Sequence, residues 1–532
     1  MHDIFALSKT QTTRKTVVET EHGIVAAQNS IAARIGAEVL AAGGDAVDAA
    51  VATSFAIGVV EPWMSGPAAG GAMMLWRADT QKAIALNHGM KSPAELDPAH
   101  YPLTGAGKAS DLFPWESVKD DRNVQGATAI AVPGTVDGLG QVHERYGRMS
   151  WADLLQPAIR CARKGTLVDW YAALLIASTT RQLAKDPDAA ALFLEDGQWP
   201  TISGWTALAE KRLDQTRMAD SLEQIARNGA RELYDGDVGA AMVADVRAKG
   251  GALSRRDLED YSAEFHDALS FAYRDGFMHA VPGLTGGPTL QATLKKLSLK
   301  RQLEPAQTPG AADYAAYAAA LKVAYAKRFA SMGDPGENPE APGCTTHFSV
   351  VDRHGNMVSQ TQTLLSIFGS RVVSPSTGFL MNNGIMWFDP VAGKPNSLGP
   401  DKRCLMNVCP VIGETGDIRF AFGASGGRKI VSAVAQMSSF VMDFGMDLEA
   451  TFHQPRIDMS GGPVVVADET LSPEIIDALA MVQDVRRASR TVFPYVFACP
   501  AGVMRRGSLN SGCTEIMSPW GDAVSETDTL DR

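Results

Sequence analysis

The chain alternates between apolar helical patterns and short strand patterns. Ile24–Ala27 is an unbroken apolar run and predicts a short buried strand. Asn29 or Ser30 then offers an N-cap for a helix running to Gly43-Gly44, an abrupt stop. Asp45 caps a second helix over residues 46–59, alanine- and valine-rich on nearly every face, which predicts burial all round. Glu61-Pro62 ends it, and SGPAAGGAMMLW supplies a glycine-rich turn into a strand at Ala72–Trp76. Helical periodicity dominates residues 150–235 and 311–330, and residues 263–281 read as strands around a turn at Asp275-Gly276. The segment MGDPGENPEAPGC, residues 332–344, carries three prolines and three glycines and precludes regular structure. Beyond it the character changes. TTHFSVVD alternates like a strand, RHGN is a turn, and MVSQTQTL is a second strand. A similar hairpin is expected at the end of the chain, from EIMSPW through Gly521-Asp522 to AVSETD. The first part is helix-rich and the second strand-rich, and no repeat with a period of roughly 20–50 residues is apparent.

Composition narrows the class. With 45% hydrophobic and 20% charged residues the chain can bury enough surface to offset its ordering entropy, which excludes disorder as the main state. A length of 532 residues invites division into two to four domains or one large one. The net charge of −11 repels phosphate backbones, so no nucleic-acid partner is expected, although a local basic pocket for a small anion stays open. Six cysteines lie far apart with no CxxC and no zinc spacing, so no metal site is expected and the thiols read as free in a reducing compartment. The first twenty residues hold no apolar run of signal-peptide length, and the most apolar stretch, residues 46–60, contains Asp48 and is too short to span a membrane. The expectation is a cytoplasmic protein without a membrane partner.

Two features carry candidate chemistry. Thr345 follows the Pro/Gly-rich segment and opens a strand. A hydroxyl at such a junction can attack its own preceding carbonyl, and cleavage would free an α-amine beside the hydroxyl to serve as its base. Taken alone, Thr345 reads equally as a plain loop-to-strand threonine. The second feature is GASGGRKI, residues 423–430, where Gly426-Gly427 lets the backbone point N–H donors at a ligand and form an oxyanion hole. It does not match the GxxxxGK[ST] phosphate loop, and taken alone it also reads as a turn before a helix starting near Ile430. His347 shares a strand face with Thr345, but the freed amine already fills the base role, so a structural part is expected for it. Met and Trp clusters such as MMLW and MWF read as packing.

From about residue 20 to about 525 the chain resembles the gamma-glutamyltransferase family of N-terminal-nucleophile hydrolases. The motifs, in order, are GIVAAQNSIAARIGAEVLAAGGDAVDAAVATSFAIGVVEP, AVPGTVDGLGQVHERYG, GGALSRRDLEDY, TGGPTLQ, TTHFSVVDRHGN, GASGGRKI and DFGMDL…PRID. The resemblance implies an α+β fold, a four-layer αββα sandwich, made as an inactive precursor. Cleavage between Cys344 and Thr345 would give a large subunit, 1–344, and a small subunit, 345–532, together one composite domain. It implies Thr345 as nucleophile, Thr363 as the hydroxyl that supports it, and Gly426 and Gly427 as the oxyanion hole. The acyl-enzyme would be split by water or by an amine acceptor, with no metal or organic cofactor.

The substrate pocket departs from the family. Where typical members carry an arginine for the glutamyl α-carboxylate, this chain has Gly89 within LNHGMKSP, with Lys91 two residues on as a partial substitute. The family's asparagine after the second threonine is Leu365, and its polar residues after Asn382-Asn383 are Gly384 and Trp387. Its serine pair is Met406-Asn407. Arg371 and Arg428 stand where small residues are usual and can pair a carboxylate, or else serve as solvated arginines or internal ion-pair partners. The expected substrate-binding set is therefore Lys91, Arg371, Asn383, Asn407 and Arg428. The expected substrate is a small carboxylate-bearing amide, as in the oxamate amidohydrolase branch. A glutaryl-type cephalosporin acylase and a true gamma-glutamyltransferase or glutathione hydrolase are the alternatives.

Overall fold

A computed structural model describes residues 14–109, 115–202, 210–299, 307–332 and 344–529. Most of the Pro/Gly-rich segment thus lies outside the described residues. Fourteen strands make two seven-stranded sheets. In chain order they are β1 (Val18–Thr20), β2 (Ile24–Ala27), β3 (Gly70–Arg77), β4 (Lys82–His88), β5 (Glu264–Asp267), β6 (Leu269–Tyr273) and β7 (Gly276–Ala280). They continue with β8 (Cys344–Val351), β9 (Met357–Leu365), β10 (Val411–Thr415), β11 (Ile418–Ser425), β12 (Cys499–Arg506), β13 (Leu509–Thr514) and β14 (Asp522–Ser525). One sheet runs β1-β13-β12-β11-β10-β7-β6 and the other β14-β2-β8-β9-β3-β4-β5. Every pairing in both is antiparallel.

The expected β8–β9 hairpin sits at the centre of the second sheet. All nine residues of β9 are buried, because both faces of the sheet are covered. Helix Ala46–Val60 packs on one of those faces, touching β8 and β9. Asp45 caps it in a reciprocal box with Asp48, and all fifteen of its residues are buried, as its apolar composition predicts. The other face meets the first sheet: Ser359 Oγ donates to the Phe422 carbonyl at 2.8 Å. The ring of His347 occupies the room above Gly423, where a Cβ would come within 2.3 Å of it. Helix Lys429–Phe444 covers β11, and helix Gly287–Ser298 covers β6.

Asn29 is the cap of helix Ser30–Ala41, accepting from the Ile31 amide at 3.0 Å. The helix after the glycine turn begins at Lys429, one residue before the expected Ile430. One expectation is corrected. EIMSPW is not a strand, and the end of the chain is not a hairpin. Residues 515–520 form turns after β13, and β14 pairs with β2 instead. Glu515 explains the bend: it is fully buried against Arg456, so the chain turns inward at the first residue of the expected strand. The division into helix-rich and strand-rich parts also dissolves in space, since each sheet takes strands from both sides of residues 333–343.

Candidate active site

Thr345, the second residue of β8, is 4% exposed. Its Oγ1 donates to Thr363 Oγ1 at 3.3 Å. The local register explains the meeting. Cys344 lies opposite Leu365 and Thr346 opposite Gln362, so two steps on β8 span three on β9. The extra residue is a bulge, which re-aims side chains at the end of a pair. Thr363 Oγ1 also accepts the Leu365 amide at 2.8 Å, and Leu365 takes the left-handed region at φ 89°, uncommon for a branched residue.

Gly426 and Gly427 follow β11 with φ of 130° and 59°. Glycine is needed at Gly426 on two counts: the φ, and a Cβ that would stand 2.9 Å from Ala498 Cα. The next helix starts from this turn, with the Lys429 amide on the Gly426 carbonyl at 3.2 Å. The two sheets touch along the strands that lead to this turn. The Ser349–Ser359 pair lies under Phe422, and the His347–Thr361 pair under Gly423. Thr345 and Thr363 come next along β8 and β9 beyond the His347–Thr361 pair, and Ser425 and Gly426 come next after Gly423. Gln28 pins this edge, donating to Ser425 Oγ at 2.8 Å and to the Cys499 carbonyl at 2.6 Å.

His347 keeps to its own level. Its Nδ1 shares a hydrogen bond with Thr361 Oγ1 at 2.9 Å, and its Nε2 one with Ser349 Oγ at 3.1 Å. Burial holds its pKa down to about 3, so the ring is neutral at ordinary pH. Both nitrogens are engaged away from Thr345.

The substrate candidates divide. Asn383 lies beside the threonine pair, its amide donating to the Leu364 carbonyl at 3.0 Å. Its side chain brackets Ser366, accepting from the amide at 2.9 Å and donating to Oγ at 2.8 Å. Arg371, with φ 61°, donates through Nη1 to the Val124 carbonyl at 3.1 Å, the same oxygen that Asn383 Nδ2 reaches at 2.9 Å. These two candidates are therefore neighbours. Asn407 accepts from Arg328 Nη2 at 3.1 Å, while its Nδ2 is buried with no hydrogen-bond partner among the described residues. Arg428 lies at the start of helix Lys429–Phe444, its guanidinium 5.7 Å from the centre of the Phe329 ring. Burial lowers its pKa, against the pull of Tyr325 and Asp458. Lys91 is turned elsewhere: its ammonium forms a 2.6 Å ion pair with Asp401.

Sequence reasoning overlooked two buried ionisable groups here. Glu61 Oε2 accepts from Thr346 Oγ1 at 3.4 Å. Burial raises its pKa to about 8, with hydrogen bonds from Asn29 and Thr346 opposing the rise. Arg328, 3% exposed, donates to the carbonyls of Thr285 and Met406 at 2.8 and 2.9 Å. A signal existed for it: Arg328 continues the buried helical stripe of Tyr314, Tyr317, Leu321 and Ala324. Among the described residues no His, Cys, Asp and Glu cluster could hold a metal ion, and no helix is long and apolar enough to cross a membrane.

The fold has solved counterparts. A cephalosporin acylase from Bacillus halodurans superposes with a TM-score of 0.82 at 24% identity, over 97% of this chain and 98% of that one. The gamma-glutamyltranspeptidase family model matches residues 32–342 and 336–493. The chain belongs to that family. Among its relatives, the acylase ACY 1 proenzyme of Pseudomonas sp. (strain V22) is 30% identical, covering 88% of each chain. The glutathione hydrolase proenzyme of Bacillus subtilis (strain 168) is 28% identical, over 83% of this chain and 81% of its own.

Proposed function

We propose that this protein is a self-processing amidohydrolase whose nucleophile is Thr345, built on a four-layer αββα sandwich. The observation that carries the reading is the Thr345–Thr363 hydroxyl pair at a strand end that runs toward the Gly426-Gly427 turn. In processing, Thr345 Oγ attacks the Cys344 carbonyl carbon and the amide becomes an ester. Water then hydrolyses the ester, leaving segments 1–344 and 345–532 and a free α-amine on Thr345. In turnover that amine takes the Oγ proton as Oγ attacks a substrate amide carbonyl. The N–H groups around Gly426 and Gly427 receive the oxyanion. The proton passes to the leaving amine, and water, or an acceptor amine, resolves the acyl-enzyme. No step calls on a metal or organic cofactor.

For the acyl group we propose a small carboxylate-bearing chain of the oxamate kind. Asn383 is held at the Leu364 carbonyl, next to Thr363, and meets Arg371 at the Val124 carbonyl; the two would supply an amide and a cation. Lys91 stays in the proposed set, and it also pairs with the largely exposed Asp401. The relatives named acylase and glutathione hydrolase keep a glutaryl acylase and a gamma-glutamyl enzyme as second readings. A denaturing gel tests the mechanism: the wild type separates into 1–344 and 345–532, and Thr345→Ala stays as a single full-length band. Oxamate and a gamma-glutamyl anilide, assayed side by side, test the substrate. Faster turnover of the anilide would overturn the oxamate reading.

A further inference from the structure

Three stretches of chain meet next to the threonine pair. The Cys404 amide donates to the Met90 carbonyl at 3.0 Å, joining residues 404–407 to residues 88–91. The Asn383 amide on the Leu364 carbonyl sets the turn Gly384–Trp387 beside β9, one residue beyond Thr363. Two of these stretches carry a glycine, and each glycine's empty side is filled by a methionine. A Cβ on Gly89 would lie 2.5 Å from Met406 Cε, and a Cβ on Gly384 would lie 2.6 Å from Met90 Sδ. Met90, Met386 and Met406 are all fully buried. They share one apolar cluster with Leu365, whose amide holds Thr363 Oγ1.

Met406 is fixed at its backbone from both sides. Its amide donates to the Leu284 carbonyl at 2.9 Å, and its carbonyl accepts from Arg328 Nη2 at 2.9 Å. Only the thioether chain has freedom, and methionine adapts to fill an irregular gap. The room beside Gly89 and Gly384 is therefore occupied by side chain rather than left for a ligand. A long acyl chain entering from Thr345 would have to displace buried methionine.

We infer that Met406, backed by Met90, determines acyl length: the two side chains close the far end of the acyl site, so the enzyme takes short monoamides of dicarboxylic acids and excludes long ones. This rests on the amidohydrolase reading above and narrows its substrate class. The test is a homologous series of oxamate, malonamate, succinamate and glutaramate. For the processed wild type, kcat/KM for oxamate exceeds that for glutaramate by about tenfold or more, the scale on which a pocket discriminates single methylenes. Met406→Ala moves the preference toward glutaramate by a similar factor. Met90→Ala does so by a second route, should the first variant fold poorly. A wild type that prefers glutaramate, or two folded variants that leave the oxamate-to-glutaramate ratio unchanged, would overturn the inference. If none of the four amides turns over, calorimetry with oxalate, malonate, succinate and glutarate reads the same ranking. Failure of oxalate to outbind glutarate then overturns it. Absence of self-cleavage on a gel would instead overturn the reading beneath it.

Discussion

At Gly423 a single absent methyl group lets one sheet close on the other. The His347 ring takes that room, and its nitrogens are engaged by Thr361 and Ser349, so it has no cheap retreat. Gly423→Ala should cost about 1–3 kcal/mol, as overpacking of a dense interior does. The loss is read as a lower denaturant midpoint with unchanged slope. Thr345 and the Gly426-Gly427 turn stood out as local patterns, a hydroxyl at a strand start and a glycine pair before a helix, while Thr363 was named only through the family resemblance. Lys91 was named as a substrate-binding candidate, and its ion pair with Asp401 was not foreseen. Its partner Asp401 is 310 positions away, and no local pattern reports such a pairing. Met406 stood out only as a departure from the family's serine pair, and its approach to Gly89 shows what space it fills.

At the scale of elements, the prediction concerns the bend after β13. Glu515 is completely buried and ion-paired with Arg456, and Arg490 lies 3.8 Å away while also pairing Asp468 at 2.7 Å. Glu515→Ala would strand Arg456 without its carboxylate, at a cost of about 3–5 kcal/mol. Chemical denaturation of the variant measures it, and an unchanged midpoint would refute the role assigned to this pair. The expected hairpin failed at this point. Alternation of apolar residues in EIMSPW is a weak signal, and the buried carboxylate overrode it. Helix Ala46–Val60 and the β8–β9 hairpin were readable because composition, caps and turn residues agreed over their whole length.

For the whole molecule, buried titratable groups set a pH dependence of stability. Burial lowers His88 and His347 from 6.5 to about 3 in the fold. Between those values the unfolded chain binds protons that the fold does not, so stability is lost as pH falls below 6.5. Glu61 has the opposite sign. Its pKa rises from 4.5 to about 8, so the fold keeps a proton that the unfolded chain releases, and stability is lost as pH rises toward 8. Below 6.5 the two histidines outweigh the one carboxyl, and above it Glu61 acts alone. These three groups therefore place a maximum in Tm near pH 6.5. Thermal melts from about pH 4 to about 9 check it, and Glu61→Gln should flatten the decline on the alkaline side.

The sequence by itself carried the family, the motif order and the departures at Gly89, Leu365, Gly384 and Met406, and it named the hydroxyl and glycine candidates. These are properties of a residue and its near neighbours, and the chain spells them out. Tertiary structure alone decided that strands from both sides of residues 333–343 share each sheet. It also decided that Lys91 pairs with Asp401, and that Met406 and Met90 fill the empty sides of Gly89 and Gly384. Each of these depends on contacts between residues tens to hundreds of positions apart. Such contacts are selected by the packing of two sheets and their helices, and no local pattern encodes them.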